Sequence, residues 1–270
     1  RDKLSIHYKP KEAIQTANLF INLSPEEARN RFDLKKDSRD WQVKLAQNDL
    51  KKLELKENNL NEITYRPFDD RYTFYTGNSR GYHSMPRYEI MNNMLQSNLA
   101  LVTSRMTKGE NFAHVFVTRK ITEKILLSPK TSNNGFHFPL YLYPAEKKQE
   151  LFDKESDWPA GKDGRVPNLD KGFVEELEER IGCGFLSDGR GNILDAVTSG
   201  PRVKSGVTKR GGSETLTFGP EDVFDYIYGV FHSPQYRQRY AEFLKIDFPR
   251  VPFTGNYEVF KKEAAIGKQL

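Results

Sequence analysis

Cysteine is almost absent from these 270 residues: Cys183 stands alone, which excludes an internal disulfide framework and fits a reducing compartment. Long apolar runs are missing too. No stretch approaches the ~20 residues of a membrane span, and no n-region, h-region and cleavage site open the chain. A soluble, cytoplasmic protein with no membrane partner is the expectation. Excess charge is slight: 42 Lys+Arg against 37 Asp+Glu give +5 and a pI of about 9.0. That balance permits an acidic partner without demanding one. The chain begins abruptly, at Arg1-Asp-Lys without an initiator methionine, and reads as a segment of something larger.

Catalytic motifs are also missing. There is no G-x-x-x-x-G-K-[ST] cradle for nucleotide hydrolysis. The Asn/Asp-Pro-Pro-aromatic loop and glycine-rich turn of an adenine methyltransferase do not occur. His7, His83, His114, His137, His232 and Cys183 have no metal-ligand spacing. Asp40 with Glu54-x-Lys56 imitates a metal-dependent nuclease core, but Asp40 lies in a helix start. A stand-alone nuclease on those three residues is therefore one rival reading, and a protein-interaction scaffold with incidental basic loops is another.

What is present is an α+β pattern: a mixed or antiparallel sheet with flanking helices, a helical N-terminal connector and a helical C-terminal tail. Residues 1–60 read as polar helices. Ser24-Pro-Glu-Glu27 is a capping box with proline at the first position, and Asp37 or Ser38 caps a helix turning Trp41, Leu45 and Ala46 inward. Lys51–Lys56 reads as a solvated face or edge strand. Between 61 and 219 lies the main body. Its strands are expected at 72–75, 99–103, 112–118, 125–127 and 138–143, separated by turns that carry Arg105, Lys108, Arg119 and Lys120. Residues 145–169 form a surface excursion. Asp170 caps a helix, and 183–197 reads as a hairpin turning at Asp188-Gly-Arg-Gly191. From 220 to 270 the chain is helical, with Val223, Phe224, Ile227, Val230 and Phe231 inward. A second helix turns Tyr236, Tyr240, Phe243 and Leu244 inward, with Arg237 and Arg239 outward, and Phe248–Pro252 leaves extended.

Two stretches carry the positive charge expected of an interface. In 63–95, Tyr65, Phe68, Tyr72, Phe74 and Tyr75 interleave with Arg66, Arg71, Arg80 and Arg87. A strand, a glycine turn at 76–81 and a helix capped by Ser84 would set arginines where phosphate oxygens bind. The bland alternative is that these arginines pair with Asp69, Asp70 and Glu89. The second stretch, Thr198–Ser213, contains Arg202, Lys204, Lys209 and Arg210, four glycines and no acid. Uncompensated charge on an adaptable backbone suits phosphate neutralisation.

Tyr65-Arg-Pro-Phe-Asp69 with Arg71, followed by Pro86-Arg87, resembles the C-terminal specificity region of type ISP restriction–modification enzymes. So, in the same order, do Phe138–Pro144, Phe224–Pro234 and Tyr236–Pro252. One departure is Met85, where the family often has arginine. The resemblance implies a bacterial target-recognition domain for double-stranded DNA, following a methyltransferase domain that flips and methylates adenine at N6. S-adenosylmethionine, with ATP and magnesium, is implied for that parent and no cofactor for this chain. Arg66, Arg71, Arg87, Arg119 and Lys120 would then fix phosphates. Arg80, Arg105, Lys108, Arg202, Lys204, Lys209 and Arg210 would supply the loops that enter a groove.

Overall fold

The structure, a computed structural model, describes residues 2–144, 156–195 and 215–270. It is a mixed α+β protein with small sheets, and its chain forms two compact units: residues 1–99 with 118–135, and 100–117 with 136–270.

The first unit is built on α1 (Asp2–Ser5), α2 (Pro10–Asn22), α3 (Pro25–Phe32) and α4 (Val43–Leu50). Ser24 caps α3 through the expected capping box: its Oγ accepts from Glu27 N, and the Glu27 carboxylate accepts from Ser24 N at 2.8 Å. Their apolar faces enclose Leu4, Ala17, Phe20, Ala28, Trp41, Val43, Ala46 and Leu50, with Phe74 and Tyr82 from the following segment. Two details depart from expectation. The helix after Trp41 starts at Val43, whose N–H is held by Asp37 Oδ1 at 3.0 Å. That start turns Leu45 outward and leaves Ala46 buried. Lys51 and Lys52 lie exposed in a turn after α4, which matches the solvated face and not the edge strand of the two alternatives.

Against this body lies a sheet of order β2-β1-β5, formed by β1 (Asn61–Arg66), β2 (Asp69–Thr73) and the short β5 (Ile121–Thr122). β1 and β2 are antiparallel with a bulge at Tyr65, and β1 pairs with β5 in parallel. A bulge sharpens the local twist and redirects side chains. The strand expected at 72–75 thus begins earlier and ends at Thr73. The expected strand at 125–127 is absent, its place taken by β5. The helix expected after Ser84 is also reduced. Arg87 precedes it in the left-handed region, φ 54°, leaving α5 at Tyr88–Met91 and a 3₁₀ turn at Asn92–Met94. So short an element with no side-chain cap offers no helix N-terminus to a phosphate.

In the second unit β3 (Ala100–Thr103) is the middle strand of the order β4-β3-β6, with β4 at Val115–Thr118 and β6 at Phe136–Pro139. β3 and β6 are antiparallel, Leu101 opposite Phe138 and Thr103 opposite Phe136. The strand expected at 138–143 breaks at Leu140 into β6 and β7 (Tyr141–Leu142), which pairs with β8 (Val166–Pro167). α6 (Lys171–Ile181) is capped by Asp170 as expected. The hairpin expected at 183–197 is replaced by a parallel pairing of β9 (Gly184–Phe185) with β10 (Thr217–Phe218).

α7 (Pro220–His232) and α10 (Tyr257–Gln269) form the unit's helical pair, with α8 (Pro234–Arg239) and α9 (Ala241–Leu244) between them in sequence. Phe185, Phe218, Phe260 and Tyr226 run as a continuous aromatic core with ring centroids 5.3, 5.7 and 4.9 Å apart. Tyr240 stays at the surface, while Arg237 turns inward: its Nε donates to Phe231 O at 2.6 Å. The α7–α10 contact depends on glycine. A Cβ at Gly267 would overlap the Asp225 carbonyl, and one at Gly229 the Glu263 carbonyl. Gly267→Ala should therefore destabilise the chain by about 1–3 kcal/mol through overpacking, read as a lower urea midpoint at unchanged slope. An unchanged midpoint would show that the helices separate freely.

Candidate nucleic-acid interface

The hairpin at 65–71 is held by stacked rings and guanidinium groups. Arg71 lies over Tyr8 at 4.1 Å and over Tyr65 at 3.9 Å, and Arg66 covers Tyr65 at 3.9 Å. Each cation also has a carboxylate. Arg71 forks onto Asp69 at 2.7–3.2 Å, and Arg66 meets Glu123 at 2.7 Å. Lys120 bridges Glu62 at 2.6 Å and Asp70 at 2.7 Å. The Arg71 hydrogen bonds hold Asp69 below the usual carboxylate range. Burial opposes the Lys120 ammonium, but its bonds to Asp70 and Glu62 outweigh that and raise its pKa. At the tip, Phe68 is 94% exposed with φ at 63°. Along the hairpin and its ion-pair partners, Asp2, Glu62, Asp69, Asp70 and Glu123 outnumber Arg66, Arg71 and Lys120, a poor setting for a phosphate.

A few residues on, the glycine turn at 76–82 is organised by Asp49 of α4. This buried carboxylate accepts from Thr76 Oγ1 at 2.6 Å, Asn78 Nδ2 at 2.8 Å and Tyr82 N at 2.7 Å. A side chain at Gly81 would collide with it. The turn so fixed presents Arg80 outward. Arg80, Arg87 and Arg119 are exposed and make no ion pair among the described residues. Arg80 and Arg87 also adopt left-handed backbone, φ 60° and 54°, as does Lys108 of the second unit, φ 49°. For residues with a Cβ this is costly and concentrates at functional positions.

In the second unit the turn after β3 is tied to the segment after α9 by Thr107 N donating to Lys245 O at 3.2 Å. Arg105 and Arg250 thereby share one carboxylate, Asp247, at 3.6 and 3.8 Å. Both remain open, Arg105 at 61% and Arg250 at 79% exposure. Phe248, next in sequence to Asp247, packs edge-on against Phe136 at 5.0 Å and Phe138 at 6.0 Å. Sequence reasoning found Arg105 and Lys108 but missed Arg250 and this ring cluster. The available signal was the alternation Phe136-His137-Phe138, which sets both phenyl groups on one face of a strand.

The same unit holds a second charge cluster, structural in character. Arg190 contacts Glu221 at 3.1 Å, Asp222 at 3.4 Å and Asp225. Asp222 also accepts from Gly191 N at 2.7 Å and Gly219 N at 2.9 Å. Burial raises Asp225 despite the guanidinium. Cys183 is buried, which pushes its thiol up to about 11. Arg202, Lys204, Lys209 and Arg210 lie outside the described residues. For the nuclease alternative, Glu54 is paired to Lys56 at 3.1 Å on an open surface. Among the described residues, no cluster of three or more His, Cys, Asp or Glu is arranged to hold a metal.

The chain belongs to the Type ISP C-terminal specificity domain family, whose model matches residues 1–270. No curated protein matches it. Among solved structures it is similar to the DrdV–DNA complex, with TM-score 0.57 and 19% identity over 100% of this chain and 22% of that one. It is also similar to an ATP-dependent Type ISP restriction–modification enzyme, LlaBIII, bound to DNA, with TM-score 0.57 and 18% identity over 100% and 15% of the two chains. A third is a nuclease-deletion mutant of the Type ISP enzyme LlaGI in complex with a DNA substrate mimic, with TM-score 0.53, 17% identity and 100% and 17% coverage. At these identities the likeness is one of fold, and the chain spans about a fifth or less of the length of the latter two.

Two measurements check this division of charges. Arg71→Lys loses the planar fork and the ring stacking and should cost about 1–3 kcal/mol in urea unfolding. Arg80→Gly relieves the left-handed backbone and should leave stability unchanged or up to about 1 kcal/mol higher. The reverse order would reassign which arginine is structural. A second test uses pH. Burial pushes His137, on the inner face of β6, down from 6.5 to about 4, and His83 shifts the same way. Both are neutral when folded, so the stability they confer is full above the unfolded value of 6.5 and lost as pH falls toward 4. His137→Gln should flatten that decline; an unchanged profile would place the titration elsewhere.

Proposed function

We propose that this specificity domain recognises a target sequence in double-stranded DNA, on behalf of a larger restriction–modification enzyme whose upstream domain methylates adenine N6. The observation that carries this reading is the family match along the whole chain, supported by three fold relatives in DNA complexes. Within this reading the cations fall into two sets. Arg66, Arg71 and Lys120 are committed to carboxylates and set the shape of the first unit. Arg80, Arg87 and Arg119 there, with Arg105, Lys108 and Arg250 in the second unit, face solvent and supply phosphate and base-edge contacts. An arginine forked onto guanine O6 and N7 contributes about 1–3 kcal/mol of discrimination. Arg202, Lys204, Lys209 and Arg210 add charge on the strength of their sequence alone. S-adenosylmethionine, ATP and magnesium belong, in this proposal, to the remainder of the parent polypeptide.

Salt titration of duplex binding tests it. Affinity should fall linearly on a log–log plot, and Arg105→Ala/Arg250→Ala should lower the slope by about 2, roughly 0.9 per phosphate contact. Lys209→Ala/Arg210→Ala should act similarly while leaving the thermal midpoint unchanged. A chain that binds no duplex at low salt, alone or joined to its methyltransferase domain, would favour the scaffold reading. Magnesium-dependent cleavage by the isolated chain, abolished by Glu54→Ala, would favour the nuclease.

A further inference from the structure

Among the described residues β6 is an edge strand, and its alternation buries His137 and Pro139 while turning Phe136 and Phe138 to the outer face. Side chains two residues apart on a strand stand about 7 Å from each other along it. Phe248 braces both rings at interplanar angles of 83° and 89°. Ile246, 69% exposed, and the open guanidinium groups of Arg105 and Arg250 come from the same tethered segments. One carboxylate, Asp247, serves both arginines, so the cluster carries a surplus of positive charge.

We infer that this patch binds a nucleobase that has left its stack, with the adjoining phosphate held by Arg105 and Arg250. The inference rests on the DNA-recognition reading and goes further, naming the state of DNA this surface takes. Inside a paired duplex a base presents only its edge, whereas a phenyl surface rewards a π-face. Two aromatic residues at i and i+2 on one sheet face are a recurring platform for stacked single-stranded bases. A purely apolar protein socket would leave the surplus guanidinium charge unmatched; a nucleotide supplies both the ring and the anion.

The test compares three fluorescein-labelled probes of mixed sequence with the 270-residue chain: a paired duplex, that duplex with one unpaired thymine, and the single strand. Phe136→Ala/Phe138→Ala should weaken binding to the unpaired and single-stranded probes about tenfold, the loss of a stacked base, while paired-duplex affinity stays unchanged and the chain remains folded at the assay temperature, with a lower thermal midpoint from the lost packing on Phe248. Phe138→Trp should retain binding and show indole quenching with the unpaired and single-stranded probes but not with the paired duplex. Equal losses on all three probes overturn the inference while leaving duplex recognition standing. So does the absence of any loss, which would assign the patch to a protein partner. Failure of the unaltered chain to bind any probe defeats both readings together.

Discussion

Arg71 is clamped between two tyrosine rings and forked onto Asp69, and the proposed division of the cations starts from that clamp. A guanidinium neutralised by a neighbouring carboxylate cannot also neutralise a phosphate unless the pair is broken. The motif that looks most like an anion site in the sequence is therefore the one whose charges are already spoken for. Its arginines hold a bulged hairpin in shape. In the proposed reading, the cations that meet a partner are those with no ion-paired carboxylate among the described residues, or with a shared one: Arg80, Arg87 and Arg119 in one unit, Arg105 and Arg250 in the other.

Buried carboxylates organise the loops in both units by the same physics. Asp49 collects the donors of the 76–82 turn, and Asp222 collects Gly191 N, Gly219 N and Arg190. Each gathers several hydrogen bonds to one desolvated charge, which compensates its burial and fixes an otherwise adaptable glycine segment. In each case glycine is required by space: a Cβ at Gly81 would meet Asp49, and one at Gly191 the Thr217 carbonyl. Rigid turns of this kind present a side chain at low entropic cost on binding.

Local chemistry made much of the fold legible. The capping box at Ser24, the Asp170 cap and the apolar stripe of α7 are each written in adjacent residues, and each stands as expected. Long-range pairing was not legible. Nothing near Cys183 announces that Gly184–Phe185 pairs with Thr217–Phe218, or that β5 at Ile121 joins β1. The helix after Ser84 failed because Arg87 takes a left-handed backbone, a choice no propensity anticipates. For the site, sequence found the basic residues but not their partners. Glu123 lies 57 positions from Arg66, and Asp247 lies far along the chain from Arg105. Arg250 was hidden inside a family-like stretch whose end reads as a proline-stiffened exit.

The central claim is that the exposed arginines with no carboxylate or a shared one, and not the clamped ones, meet DNA. Arginine footprinting with phenylglyoxal and mass spectrometry, with and without duplex, tests it most directly. The account predicts that DNA protects Arg80, Arg87, Arg119, Arg105 and Arg250, while Arg66 and Arg71 react slowly and equally in both states. Protection confined to Arg66 and Arg71, with the exposed arginines labelled alike with or without DNA, would contradict it.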